Sequence, residues 1–301
     1  MRILCAVDGS EYSEWGVQAL EALASRKPQA VTLLHAVDTV SLRTDKGNNP
    51  VAERRALAAM EKAGGLLLRE AERAARVALG QAATAPRTKF QRILAHGGLA
   101  STIVRQARRV KADLILMGSR GLSDIRGFLL GSTSRQVAAI APCPILVVKR
   151  PTPTFGRVTL AVDHSKHSRT AARFLRTHIL PETATVTILS SVESPVSDLA
   201  AQYVSDSQLA ALTKPGMDRA LTLVNALRED FLKEGIAVTA AVRMNHVIDT
   251  IVKQVEAHHD DLLVIGSREL TKSERLHLGS VSESLLRHAP CSVLIVRGTR
   301  A

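Results

Sequence analysis

Gly118-Ser119-Arg120-Gly121 and, nine residues later, Gly131-Ser132-Thr133-Ser134 hold the residue types that bind anions. Glycine lets a backbone approach a ligand closely and permits positive φ. Free N–H groups at a helix start, with the positive end of the helix dipole, point at whatever sits before them. The hydroxyls of Ser132, Thr133 and Ser134 can donate to phosphate oxygens or cap the helix. The chemistry this suits is non-covalent capture of a phosphate-bearing ligand, and Arg120 is placed to add charge-assisted bonds. Asp8, in Asp8-Gly9-Ser10, reads in two ways. It accepts from a ligand amine or hydroxyl, or helps hold a divalent cation beside phosphates; or it merely turns the chain from strand to helix. The plain alternative for the glycines is a loop whose Ser132 caps a helix.

These residues need a scaffold that delivers them to one place. Short β-branched runs at Ile3–Val7, Val31–Val37, Thr88–Ile93, Leu114–Met117 and Ile145–Val148 alternate with helical patterns near Ser13–Ala24, Val51–Leu79, Ser101–Val110 and Ser132–Ala139. Near-continuous apolar strands separated by helices mean a parallel sheet covered on both faces. In such sheets ligands bind outside the carboxyl ends of the strands, where the strand order reverses. Asp8 follows the first strand and Gly118-Ser119 the fourth, so both arrive at that edge.

The whole pattern occurs twice. Ala6-Val7-Asp8-Gly9-Ser10 recurs as Ala161-Val162-Asp163-His164-Ser165, and Met117-Gly118-Ser119-Arg120 as Ile265-Gly266-Ser267-Arg268. Ala141-Pro142-Cys143-Pro144-Ile145 recurs as Ala289-Pro290-Cys291-Ser292-Val293. Repetition at this period gives two tandem domains, 1–149 and 156–298, joined by a linker punctuated with Pro151, Pro153 and Gly156. The chain of 301 residues suits two domains of ordinary size.

Charge is unevenly spread. Residues 1–150 hold 23 Lys/Arg against 12 Asp/Glu, a net of +11, while residues 151–301 hold 17 against 16, a net of +1. The first half therefore favours an anionic partner, although Arg54, Arg55, Lys62, Arg69, Arg73 and Arg76 also read as the solvated face of one long helix. No stretch approaches the ~20 apolar residues of a membrane span. The opening residues read as a buried strand rather than a signal peptide. Cys5, Cys143 and Cys291 are too scattered for a disulfide framework and read as reduced core residues, so the expected location is cytoplasmic, with no membrane partner.

The spacing Gly-x2-Gly-x9-Gly-Ser resembles the ATP-binding signature of the universal stress protein family. The opening strand ending in Val7-Asp8, the second strand Leu33-Leu34-His35-Ala36-Val37 and the closing Ala-Pro-Cys-Pro-Ile-Leu-Val-Val strand extend that resemblance over both halves. The resemblance implies a Rossmann-like fold of the adenine nucleotide alpha hydrolase type, five parallel strands per domain in the order 3-2-1-4-5. It also implies an adenine nucleotide across the carboxyl edge. Adenine would lie near Ala6, Val7, Asp8 and the backbone at Ala36, ribose near Met117 and Gly118, and phosphates against Gly121, Gly131, Ser132 and Thr133, with Ser119, Arg120 and Ser134 bordering the loop. The implied cofactor is ATP, with Mg2+ as a companion ion. Relatives of one domain dimerise through their last strand; here Ile145–Val148 and Val293–Val296 are tethered, so an internal pseudo-dimer is expected. Further homodimerisation stays open.

The second copy departs from the signature. Glu269 stands where Gly121 stands, Asn245 where Gly97 stands, and His164 where Gly9 stands. A carboxylate about 4 Å from a phosphate charge costs on the order of 4 kcal/mol at an effective dielectric near 20. Arg268, Lys272 and Arg275 offset part of that, yet the second site is expected to take no ATP. The run His258-His259-Asp260-Asp261 has the composition of a metal site, but neighbours in sequence point apart, and it reads as a polar helix end. The expected function is a nucleotide-dependent stress-response sensor or adaptor working on an unidentified protein partner. A slow ATP hydrolase, or a basic nucleic-acid-binding stress protein, is the alternative. There is no Walker-type Gly-Lys-Ser/Thr, and Asp124 is the one acid in the glycine loop besides Asp8 nearby, so no catalytic residue is assigned. Nucleic acid is disfavoured as a partner, since aromatic residues are 3% of the chain and leave little for base stacking.

Overall fold

The computed structural model describes residues 1–40, 50–80, 88–122, 130–197, 200, 202–267 and 278–297. In chain order the first half contains β1 (Arg2–Ala6), α1 (Glu11–Gln18), a 3-10 turn (Glu21–Arg26), β2 (Ala30–Val37), α2 (Pro50–Ala78), β3 (Lys89–His96), α3 (Leu99–Arg109), β4 (Leu114–Gly118), α4 (Ser132–Ile140) and β5 (Ile145–Val148). The second half repeats it: β6 (Arg157–Ala161), α5 (Lys166–His178), β7 (Thr185–Val192), α6 (Asp206–Lys233), β8 (Ala237–Met244), α7 (Val247–Ala257), β9 (Leu262–Ser267), α8 (Ser280–His288) and β10 (Ser292–Arg297). The sequence pattern Ser13–Ala24 suggests one helix. The structure ends α1 at Gln18, and the chain buries Leu20 and continues as the 3-10 turn, which buries Leu23 before Lys27 adopts φ 47° ahead of Pro28.

Each half orders its strands 3-2-1-4-5, all parallel, as the resemblance implies. β5 and β10 then pair antiparallel and merge the halves into one ten-stranded sheet. The register puts Leu146 opposite Leu294, which are equivalent positions of the two repeats, so a pseudo-twofold axis passes beside that pair. Pairing hides two fully buried apolar strands that would otherwise be open edges.

Strand residues alternate between two cores, one on each face. Ile3, Cys5 and Val7 pack with Leu20, Leu23 and Leu68 beneath α1 and α2, and the same cluster runs on through Leu160, Phe231 and Leu294. Leu4, Ala6 and Met117 face α3 and α4 with Ile103, Val104 and Val137, and that cluster continues through Ile251, Leu263 and Ile295. Both cores therefore cross the seam. The three cysteines are buried and unpaired, and burial pushes each thiol up to about 12, so they act as small apolar core residues. Among the described residues no helix is long and apolar enough to cross a membrane.

Candidate functional site

At the carboxyl ends of β1 and β4, where the chain path reverses, an open cleft of about 620 Å3 including its mouth is lined by both glycine segments. Ala6, Val7, Asp8 and Ala36 supply one wall, Met117, Gly118, Arg120 and Gly121 the floor, and Gly131, Ser132, Thr133 and Ser134 the far side. Of the residues assigned to the nucleotide from the sequence, Ser119 alone does not line it. Ser119 is buried behind the loop, where its N–H donates to Val148 O at 2.8 Å and its carbonyl accepts from Gly131 N at 2.8 Å and from Ser134 Oγ at 2.7 Å. It holds the two glycine segments together. Ser13, Leu34, Leu99 and Ile103 also line the cleft, and their own local sequence carries no binding signature.

At the start of α4 the serine run does not supply the cap. The N-cap is Gly131, at φ −74° and ψ 153°, and no side chain caps the helix. Ser132 is thus the first helical residue and not the cap. The Ser134 hydroxyl turns back to Ser119 O and, at 3.0 Å, to Gly131 O. The first intrahelical bond runs from Arg135 N to Gly131 O, so the N–H groups of Ser132, Thr133 and Ser134 precede it, and these three residues line the cleft. Three N–H groups without a partner inside their own helix, the helix dipole and no acid in the first turn make this end of the cleft receptive to negative charge.

The glycines divide by purpose. A Cβ on Gly118 would lie 2.5 Å from the carbonyl carbon and oxygen of Tyr12, where α1 crosses the end of β4. The same clash awaits a Cβ on Gly266, 2.6 Å from the carbonyl carbon of His167. Both positions are glycine because a helix packs against the backbone there. Gly121 differs: its Cβ would meet Asp8 Oδ2 at 2.7 Å, inside the cleft. Its counterpart Glu269, together with Arg268, Lys272, Arg275 and the loop acid Asp124, lies outside the described residues.

The two carboxylate oxygens of Asp8 face different ways. Oδ1 accepts from Ser10 N at 3.0 Å and Ser10 Oγ at 2.6 Å, the local bonds of a turn, while Oδ2 faces Gly121 across the cleft. In the second half Asp163 Oδ1 accepts from Ser165 N, from Ser165 Oγ and, at 2.7 Å, from Ser168 Oγ. The Val7 backbone is fixed on both sides, by Val7 N donating to Leu34 O at 2.9 Å and by His35 Nδ1 at 2.8 Å from Val7 O. Arg120 reaches Tyr12, with Nη1 donating to the phenol oxygen at 3.1 Å and the guanidinium 5.3 Å over the ring. Burial pushes the neighbouring Lys149 down to about 8, and repulsion from Arg120 adds to that fall.

The His258–Asp261 run diverges as expected of a helix end. Asp260 is buried and accepts from Thr159 Oγ1 at 2.5 Å, whereas Asp261 accepts from Arg157 N at 2.9 Å. Among the described residues no group of His, Cys, Asp and Glu is arranged to hold a metal ion.

A family model described as the Universal stress protein family matches residues 1–149 and again 154–297. The chain belongs to that family and carries its domain twice. A universal stress protein of Thermus aquaticus is 33% identical over 147 residues, which is 49% of this chain and 97% of that protein. Universal stress protein YxiE of Bacillus subtilis (strain 168) is 32% identical over 162 residues, covering 49% of this chain and 98% of its own length. Among solved structures, a universal stress protein from Archaeoglobus fulgidus superposes with a TM-score of 0.70 at 20% identity over 98% of both chains, a likeness of fold.

Proposed function

We propose that the first domain binds ATP in the β1/β4 cleft and that the chain serves in the cytoplasm as a nucleotide-dependent stress-response sensor or adaptor. The observation that carries this reading is the start of α4, where no side chain caps the helix and Ser132, Thr133 and Ser134 line a cleft shared with Gly121 and Asp8. In this reading adenine packs against Ala6, Val7 and Ala36, ribose against Met117 and Gly118, and the phosphates against Gly121, Gly131, Ser132 and Thr133. Arg120 contributes charge from the loop. The outward oxygen of Asp8 suits a share in a Mg2+ ion, which would neutralise phosphate charge beside the carboxylate. The second domain, with Glu269 in place of that glycine, is left to a structural role. Among the described residues the cleft supplies binding groups and no positioned general base, and turnover is expected to be slow at most.

Calorimetric titration of the intact chain with Mg2+ and ATP tests the proposal by counting sites. One site is expected. Two sites would overturn the assignment of the second domain, and no binding would overturn the nucleotide reading. Multiple-turnover phosphate release measures any hydrolysis.

A further inference from the structure

The C-terminal end of α4 has an unusual deficit. The carbonyl of Ala138 would ordinarily accept from the residue four positions on, but that residue is Pro142, which has no N–H. Ala141 N donates to Val137 O instead, so the Ala138 carbonyl, on a fully buried residue, lacks a backbone donor from its own turn. The missing donor comes from the other domain. Arg297, the last residue of β10 and itself buried, crosses the seam and donates through Nη2 to Ala138 O at 2.6 Å. The opposite contact is made by its repeat equivalent: Lys149 Nζ donates to Ala289 O at 2.6 Å at the end of α8. The end of each domain's last strand thus sends a basic side chain, Arg297 from β10 and Lys149 just after β5, to the C-terminus of the other's helix, where the dipole favours positive charge. A further link joins Arg135 of α4 to Glu283 of α8 at 3.5 Å.

In the first domain this matters for the site, because α4 is the helix whose N-terminus faces the cleft. It has nine residues, fewer than three turns, so its two ends cannot move independently. We infer that Arg297 of the second domain is a positioning residue for the first domain's anion site, holding α4 so that the amides of Ser132, Thr133 and Ser134 stay aimed at the ligand. The inference rests on the nucleotide reading for its ligand, and it gives the second domain a task that needs no ligand of its own.

The test uses the full chain and three variants, Arg297→Met, Arg297→Lys and Phe231→Leu. A charged donor to a buried carbonyl is worth about tenfold to a hundredfold in an equilibrium. Arg297→Met is expected to weaken MgATP binding about tenfold by calorimetry, and Arg297→Lys to restore most of it. Phe231→Leu, in the second domain's core and away from the seam, controls for general destabilisation and should leave the affinity unchanged. Independently of any ligand, amide hydrogen exchange of Arg297→Met should quicken about tenfold at residues 136–140. Exchange and affinity both unchanged in Arg297→Met, or equal losses in Phe231→Leu, would overturn the inference. If the wild-type chain binds no MgATP, the nucleotide reading fails, and exchange alone decides whether Arg297 holds α4.

Discussion

Gly121→Glu gives the first domain the residue that the second carries at 269. Two effects add. The first is charge: a carboxylate about 4 Å from one phosphate charge costs roughly 4 kcal/mol at an effective dielectric of about 20, near a thousandfold in affinity. The second is space: any Cβ at 121 would sit 2.7 Å from Asp8 Oδ2 and 3.9 Å from its Cγ, while Oδ1 is already tied to Ser10, so the whole carboxylate must shift. Gly121→Ala brings the Cβ without the charge and separates them. Calorimetry with MgATP at low and moderate salt should rank wild type above Gly121→Ala, at about a tenfold loss, and that above Gly121→Glu. The loss in the glutamate variant should shrink as salt rises, since screening weakens exposed charges. Thermal melting should show all three folded. A Gly121→Glu affinity within about threefold of wild type would refute the electrostatic reasoning. Equal losses in both variants would assign the whole effect to space.

Gly118→Ala and Gly266→Ala should each destabilise the fold by about 1–3 kcal/mol, read as a lower melting temperature, because the added methyl meets helix backbone in both domains; an unchanged melt in either would refute the packing role. Ser134→Ala should cost about 1–2 kcal/mol of stability by denaturant titration, through loss of the bonds to Ser119 O and Gly131 O. Lys149 loses its proton at about 8 when folded and near its ordinary value of 10.5 when unfolded. Between those pH values the unfolded chain binds the extra proton, so this residue's contribution to stability grows as pH rises from about 8 to 10.5, by at most about 3 kcal/mol. Lys149→Met should lack that rise, and identical pH profiles for the two proteins would count against it. Asp8→Asn should weaken MgATP binding more than binding of metal-free ATP, measured with and without a chelator, if the outward Asp8 oxygen helps hold the ion.

Short-range pattern was enough for much of this protein. Apolar runs of four to eight residues set the strands, the doubled Val-Asp, Gly-Ser-Arg and Ala-Pro-Cys segments revealed two domains, and the glycine spacing marked the two segments that line the cleft. Such features are legible because propensity, strand burial and turn chemistry act over a few neighbouring residues. The duty of each residue was another matter. Gly118 and Gly121 look alike in sequence, yet only the crossing of α1 over β4 makes the first a packing glycine and leaves the second facing Asp8. Ser119 sits inside the motif but points away from the cleft, because its backbone is claimed by β5. Leu34, Leu99 and Ile103 join the wall only through the register of β2 against β1 and the seating of α3. A reader of the chain can see that Pro142 deprives Ala138 of its donor. That the replacement is Arg297, 159 residues away, follows only from the pairing of β5 with β10, since side chains so distant in sequence become neighbours through the packed sheet alone.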